Sequence, residues 1–267
     1  MIHPSDIGAL RFAHQAMHTE FEIFCVHADG DYARQAAWAA FDLLDRLENE
    51  LSRFIPNSDI SRINHLAAGE SVRVSRWTME CLDLARQAYE ETGGAFDISL
   101  GTGFASLELA RRESAVRATD QGVRLDLGGI GKGYAVDRMA EVLDEWDIRQ
   151  VLIHGGNSSV LALDAPPGHE GWPLTLGERT VAARRRAFSA SGIRAQGEHI
   201  VDPRTGLPAS GRVAAWVSLN VEGGASPSAV AEAYSTAFMI LPAAEMDAIC
   251  ARHPGMEAWV LEVVSRE

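Results

Sequence analysis

Leu125-Asp126-Leu127-Gly128-Gly129-Ile130-Gly131-Lys132-Gly133-Tyr134-Ala135-Val136-Asp137 reads as a strand over 123–127 that runs into a glycine loop and opens a helix. Amide N–H groups at such a helix start carry partial positive charge and suit a phosphate or pyrophosphate. Two familiar nucleotide loops fail here. A Walker A loop needs glycine five positions before the Gly-Lys pair and Ser or Thr after the lysine, where Asp126 and Gly133 stand. The dinucleotide fingerprint fails because Tyr134 occupies the place of the third glycine after Gly129-Ile130-Gly131. Taken alone, phosphate binding and simple close packing explain the glycines equally well.

Working outward, residues 20–26 alternate as a strand does, and Asp29-Gly30-Asp31 supplies a turn and a helix start. Over 33–54, Trp38, Phe41, Leu44, Leu47, Leu51 and Phe54 recur at three- and four-residue steps. This spacing predicts an amphipathic helix with that stripe in the core. A second helix starts after Ser75 and stops at Gly93-Gly94, and a third spans about 132–146. Further strands are predicted over 151–153, 159–163, 213–221 and 258–264, with helices over 227–241 and 242–252 interrupting the last two. Strands and helices mixed in this way argue an α+β fold rather than a repeating βαβ array. With no repeat or linker-like tract, residues 1–267 are expected to form one continuous domain.

The chain has 267 residues, 46% apolar and 23% charged, as in an ordinary enzyme, and a net charge of −13. That excess of carboxylates argues against a nucleic-acid partner. No apolar run approaches the roughly 20 residues of a membrane helix, so no membrane span is expected. The first 25 residues lack the basic start and apolar core of a secretory signal. A cytoplasmic location is the expectation, or a periplasmic one if a leader was removed. Cys25, Cys81 and Cys250 are odd in number and widely spaced, which fits buried thiols.

Three further motifs carry chemistry. His154-Gly155-Gly156-Asn157 is a second glycine turn after a strand. His199-Ile200-Val201-Asp202-Pro203-Arg204-Thr205-Gly206 is a turn that places a proton acceptor and a guanidinium side by side. Glu232 and Thr236 stand one helical turn apart on one face, two oxygen donors of the kind Mg²⁺ takes. Each has a simpler structural explanation when taken alone. His14 and His18 share the same spacing but lack a third ligand for zinc.

Together and in this order, the motifs resemble the ApbE family of FAD:protein FMN transferases. The resemblance runs from Met17-His18-Thr19 through Leu51-Ser52-Arg53-Phe54, Gly93 to Asp97, Asp126 to Asp137, Gly155-Gly156-Asn157, Ser191-Gly192 and His199 to Gly206, ending at Ala231 to Ala237. It implies an α+β domain related to the T-fold, with FAD in a cleft between two sub-lobes. It also implies Mg²⁺-dependent transfer of FMN from FAD to a threonine or serine hydroxyl of an acceptor protein, with release of AMP.

Carried over position by position, the resemblance implies His199 as the catalytic base and Gly131, Glu232 and Thr236 as metal ligands. It further implies Met17, Phe96, Asp97, Asp126, Lys132, Tyr134, Gly155, Gly156, Asn157 and Arg204 as groups around the FAD. The chain departs from the family pattern at Glu232, where Asp is usual, and at His18, where Gly is usual. Two alternatives stay open: an FAD pyrophosphate hydrolase yielding FMN and AMP, and a flavin-binding protein with weak or lost catalysis.

Overall fold

The computed structural model describes residues 7–177, 179–192, 200–224 and 226–263. In chain order, β1 (Leu10–Ala16) and β2 (Thr19–Cys25) precede α1 (Gly30–Leu51), the short α2 (Asp59–Ile63), β3 (Ser71–Arg73), α3 (Arg76–Glu91), β4 (Leu107–Ala110), β5 (Ala115–Ala118) and α4 (Gly131–Glu145). Then come β6 (Val151–Gly155), β7 (Ser159–Ala162), β8 (Trp172–Leu176), β9 (Arg179–Ala183) and β10 (Arg186–Gly192). The two-residue strands β11 (Val201–Asp202) and β12 (Leu207–Pro208), β13 (Arg212–Asn220), α5 (Pro227–Ala237), α6 (Ala243–Arg252) and β14 (Glu257–Glu262) complete the order.

One seven-stranded sheet organises the fold, in the order β1-β2-β6-β7-β10-β13-β14, with every neighbouring pair antiparallel. Side-chain parity divides its strands between two cores. Phe21, Ile23, Val151, Ile153, Leu161, Ala187, Ala215 and Val217 point into the larger core, shared with α1, α4 and α5. Phe24, Leu152, Val160, Ala162 and Phe188 point the other way, under the β8–β9 hairpin and its buried Trp172. Because both faces are covered, residues 151–153 are a continuous apolar run rather than an alternating one. The small sheet β3-β5-β4 stands apart beside α3.

The helices begin and end as local chemistry dictates. Asp29 accepts from the Asp31 and Tyr32 amides to cap α1, and Ser75 accepts from Thr78 N–H to cap α3. Gly93 and Gly94, both with positive φ, end α3 by returning the Gly94 amide to the Tyr89 carbonyl. Helix α5 is capped from a distance: the Asp137 carboxylate on α4 accepts from the Ser228 and Ala229 amides at 2.9–3.1 Å. Beside it, the two helices touch main chain to main chain. A Cβ added at Gly133 would lie 2.3 Å from the Ser228 carbonyl oxygen.

Two expectations are corrected. Residues 123–127 form no strand, because their polar main-chain groups bond to a side chain and a loop instead of a ladder. Asn64 exchanges two hydrogen bonds with Leu125, and the Asp126 amide donates to the Ile98 carbonyl. The stripe from Trp38 to Phe54 is not all core. Helix α1 ends at Leu51 and turns its alanines, with Phe41, Leu44 and Leu47, inward. Trp38 is left 53% and Phe54 63% exposed.

The Gly133 contact makes Gly133→Ala a test of how tightly α4 and α5 are held. Overpacking of this kind costs about 1–3 kcal/mol or more, so the variant should melt well below the wild type; an unchanged Tm would show the contact to be slack. Asp137 gives a pH-dependent test. Burial raises its pKa to about 7, against the lowering pull of the Ala229 and Ser228 donors. An unfolded Asp releases its proton near the ordinary value of 3.8. Between about pH 4 and pH 7 the folded state therefore holds the extra proton, and this group's contribution to stability falls as pH rises. Asp137→Asn has no proton to lose, so its Tm relative to wild type should climb from about pH 4 to about pH 8. A difference that does not vary with pH would contradict the assignment.

Candidate active site

A cavity of about 710 Å³ opens at one end of the main sheet. Its walls are the β1–β2 turn, the C-terminal end of α1 with residues 52–54, the loop into α4, the β6–β7 turn, and the ends of β10 and β13. Met17 and His18 form the two-residue β1–β2 turn, both with positive φ (51° and 59°). Such a hairpin demands that conformation, which residues other than glycine adopt at a cost. The Met17 amide is held by Glu48 Oε1 at 2.8 Å, and Phe54 packs edge-on against His18. At the opposite turn, Gly156 (φ 63°) has no room for a side chain, since a Cβ would lie 2.5 Å from Thr19 Oγ1.

The loop into α4 is ordered by its own acid. Asp126 Oδ1 accepts from the Gly128 amide at 2.9 Å, and Oδ2 pairs with Arg53 Nε at 3.0 Å. At the helix start, the amides suited by sequence to an anion are partly committed. Gly131 N–H goes to the Leu127 carbonyl and Gly133 N–H to Glu232 Oε2 at 2.7 Å. The positive charge facing the cavity there is the Lys132 ammonium, which donates to the Gly128 carbonyl at 3.1 Å and pairs with Glu232 Oε1.

Glu232 is 3% exposed, so its carboxylate needs a positive partner, and Lys132 is that partner. One turn on, Thr236 Oγ1 donates to the Glu232 carbonyl at 3.1 Å and meets the Ser191 hydroxyl at 3.2 Å. Ser191 in turn lines the cavity. The carboxylate, the hydroxyl and the Gly131 carbonyl are hard oxygen donors, which fits Mg²⁺ in kind. Among the described residues, no three His, Cys, Asp or Glu side chains gather as a metal cluster. An ion at Glu232 would therefore draw the rest of its shell from water and substrate phosphates.

The remaining sequence-predicted residues fall around the cavity or behind it. Met17, Asp126, Gly131, Lys132, Gly156 and Asn157 line it. Phe96 lies behind the loop, its ring edge 3.1 Å from where a Cβ at Gly129 would stand, with Thr236 Oγ1 at 3.5 Å from the same point. Asp97 is buried and shapes its own loop, accepting from Ser99 N–H and Oγ–H at 2.7 Å and from Gly101 N–H at 3.0 Å.

Tyr134 points into the core and donates to Glu80 at 2.9 Å; burial and that bond push its phenol well above the usual range. Gly155 serves packing, for a Cβ there would meet Val136 at 2.9 Å. Arg204 is clamped on Asp202 by two 2.9 Å bonds, which hold the Asp202 carboxyl below its ordinary pKa. His199 lies outside the described residues. Sequence reasoning missed Glu48, Trp216 and Leu261, which also line the cavity. A signal for Trp216 was present: the alternation over 213–221 puts this large aromatic on the side opposite Ala215 and Val217.

Comparison with known proteins places this geometry in a family. The model of the ApbE family matches residues 17–104 and 101–260. A FAD:protein FMN transferase of Klebsiella pneumoniae is 29% identical over 218 residues, 66% of this chain and 68% of the relative. One from Treponema pallidum is 26% identical over 276 aligned positions, 82% of this chain and 74% of the relative. Among solved structures, the fold matches the flavin transferase ApbE from Vibrio cholerae with a TM-score of 0.79 at 19% identity, covering 95% of this chain and 97% of that one. It matches the apo flavinyl transferase ApbE of Pseudomonas stutzeri with a TM-score of 0.79 at 20% identity, covering 95% of both. No described helix is long and apolar enough to cross a membrane. Matched by the family model along most of its length and by these structures in its fold, the chain belongs to the ApbE family.

Proposed function

We propose that this protein is a Mg²⁺-dependent FAD:protein FMN transferase, moving FMN from FAD to a threonine or serine hydroxyl of an acceptor protein and releasing AMP. Its relatives are named FAD:protein FMN transferases. The observation that carries the reading is the pairing of Lys132 with the buried Glu232 at the wall of a cavity large enough for a dinucleotide. One continuous domain related to the T-fold, with the FAD cleft between two sub-lobes, belongs to the same proposal.

In this reading the diphosphate lies against the start of α4. Lys132 then trades its contact with Glu232 for a phosphate oxygen, so that its charge offsets what develops as the pyrophosphate breaks. A Mg²⁺ held by Glu232, Thr236 and the Gly131 carbonyl would neutralise the same oxygens as a Lewis acid. Asp126, which fixes both the loop and Arg53, keeps this end of the cavity in place. The acceptor's hydroxyl oxygen bonds to the phosphorus of the FMN half, the bond to the bridging oxygen breaks, and AMP leaves with that oxygen. The acceptor's proton passes to His199. Met17, Asn157 and Gly156 line the cavity beside the substrate, and Phe96 and Asp97 support the loops behind it.

Incubation with FAD, Mg²⁺ and an acceptor domain should add the mass of FMN to the acceptor, and chelation of the metal should abolish the addition. Rapid AMP release without any acceptor would favour the hydrolase instead. Glu232→Ala and Thr236→Ala should each lower the transfer rate at least about tenfold, and His199→Ala by about 10²–10⁴-fold. Full activity in either helix α5 variant would remove the metal assignment, and in the histidine variant, the base.

A further inference from the structure

Lys132 is the only lysine in the chain; apart from histidines, every other basic side chain is an arginine. It lines the cavity, and its ammonium is shared between two oxygens, the Gly128 carbonyl at 3.1 Å and Glu232 Oε1. The lysine side chain is 19% exposed and the glutamate side chain 4%. The second carboxylate oxygen, Oε2, accepts from the Gly133 amide at 2.7 Å. Glu232 is therefore anchored by main chain, which cannot leave, and neutralised by a side chain, which can. Lysine suits the second task. It carries a compact charge on a flexible four-carbon stem, whereas the planar fork of an arginine grips a carboxylate through two fixed bonds. The remaining hard donors, the Thr236 hydroxyl and the Gly131 carbonyl, lie on the same two helices as this pair.

We propose that Lys132 is a built-in counter-ion that keeps divalent metal off Glu232 in the free protein and yields the carboxylate only when the diphosphate of the dinucleotide draws it away. The inference deepens the transferase reading and rests on it. In the free protein the ammonium already cancels the charge of the carboxylate. A divalent ion on the same group would meet an adjacent positive charge in a partly buried site, where such repulsion is several times stronger than in water. A diphosphate at the start of α4 brings negative charge to the ammonium. Lys132 can follow it without leaving Glu232 loose, because the Gly133 amide keeps its hold. Dinucleotide and metal therefore bind as a coupled pair, each raising the affinity for the other by the same factor.

Mn²⁺ is the probe, its free concentration read by electron paramagnetic resonance in the presence of the full chain. The wild type alone should bind it weakly. Saturating FAD should tighten binding at least about tenfold, beyond FAD's own complexation of the ion, and riboflavin, which has no phosphate, should leave it unchanged. Lys132→Met removes the charge and should raise the Mn²⁺ affinity of the free protein by a similar factor, about tenfold; Lys132→Arg keeps the charge and should not. Should Lys132→Met fail to fold, the wild type decides. Reductive ¹³C-methylation preserves the charge of an amine, and the sole lysine gives one side-chain signal apart from that of the terminal amine. That signal should shift when FAD is added and stay in place with Mg²⁺ alone. The inference is overturned, and the FAD site stands, by a folded Lys132→Met that binds Mn²⁺ no better than wild type, by wild-type Mn²⁺ binding of equal strength with and without FAD, or by a lysine signal that Mg²⁺ alone displaces. If the wild type takes up no FAD, or no Mn²⁺ even with FAD, the transferase reading itself fails and this inference with it.

Discussion

The main-chain contact between α4 and α5 is the constraint on which the site depends. Glycine at 133 lets the two helices meet with a carbonyl where a side chain would otherwise be. Two carboxylates then bridge them in opposite directions: Asp137 of α4 accepts from the start of α5, and Glu232 of α5 accepts from the Gly133 amide. Each acid satisfies helix-end donors that have no partner in their own helix. The same reciprocal arrangement delivers Glu232 to Lys132 and sets Thr236 beside Ser191. A group of polar atoms that is expensive to bury is thereby paired and aimed at one end of the sheet.

The cavity follows from this arrangement and from the sheet. Sheet ends, unlike sheet faces, are free of covering helices, and here two tight turns, the loop into α4 and the start of β13 converge on one end. Residues from both faces of the sheet line it. Its helix side is polar, with Ser191 bonded toward Thr236 and Lys132 above Glu232. On its outer side stand Trp216 and Leu261. The strand alternation that divides the protein's two cores therefore also divides the site into a charged half and an aromatic half.

Residues distant in sequence were legible as site elements only when a local rule forced their conformation. Asp126 to Asp137 announces a loop and a helix start because glycines and a lysine at those spacings suit little else, and Glu232 and Thr236 share a face by helical period alone. Roles were harder to read than positions. Tyr134 and Gly155 belong to recognisable motifs, yet one supports the core through Glu80 and the other makes room for Val136. Trp38 and Phe54 fit the helical stripe by spacing but end up largely exposed, because α1 is buried through its alanines and stops before Phe54. Periodicity reports which residues share a face; it does not report where a neighbouring helix comes close enough to demand alanine.

What the chain determined by itself is local: the caps at Asp29 and Ser75, the glycine stop of α3, the alternation of β13, and the glycine loop into α4. These follow from backbone conformation and from bonds between residues a few positions apart, so they can be read from neighbours. The tertiary structure alone decided which acid meets which amide across 91 to 99 residues of chain, and that Lys132 and Glu232 would form a pair. It also decided that Trp216 would line the same cavity. Those outcomes depend on how closely two backbones approach and on which strand lies beside which, and both are properties of packing rather than of any single stretch of sequence.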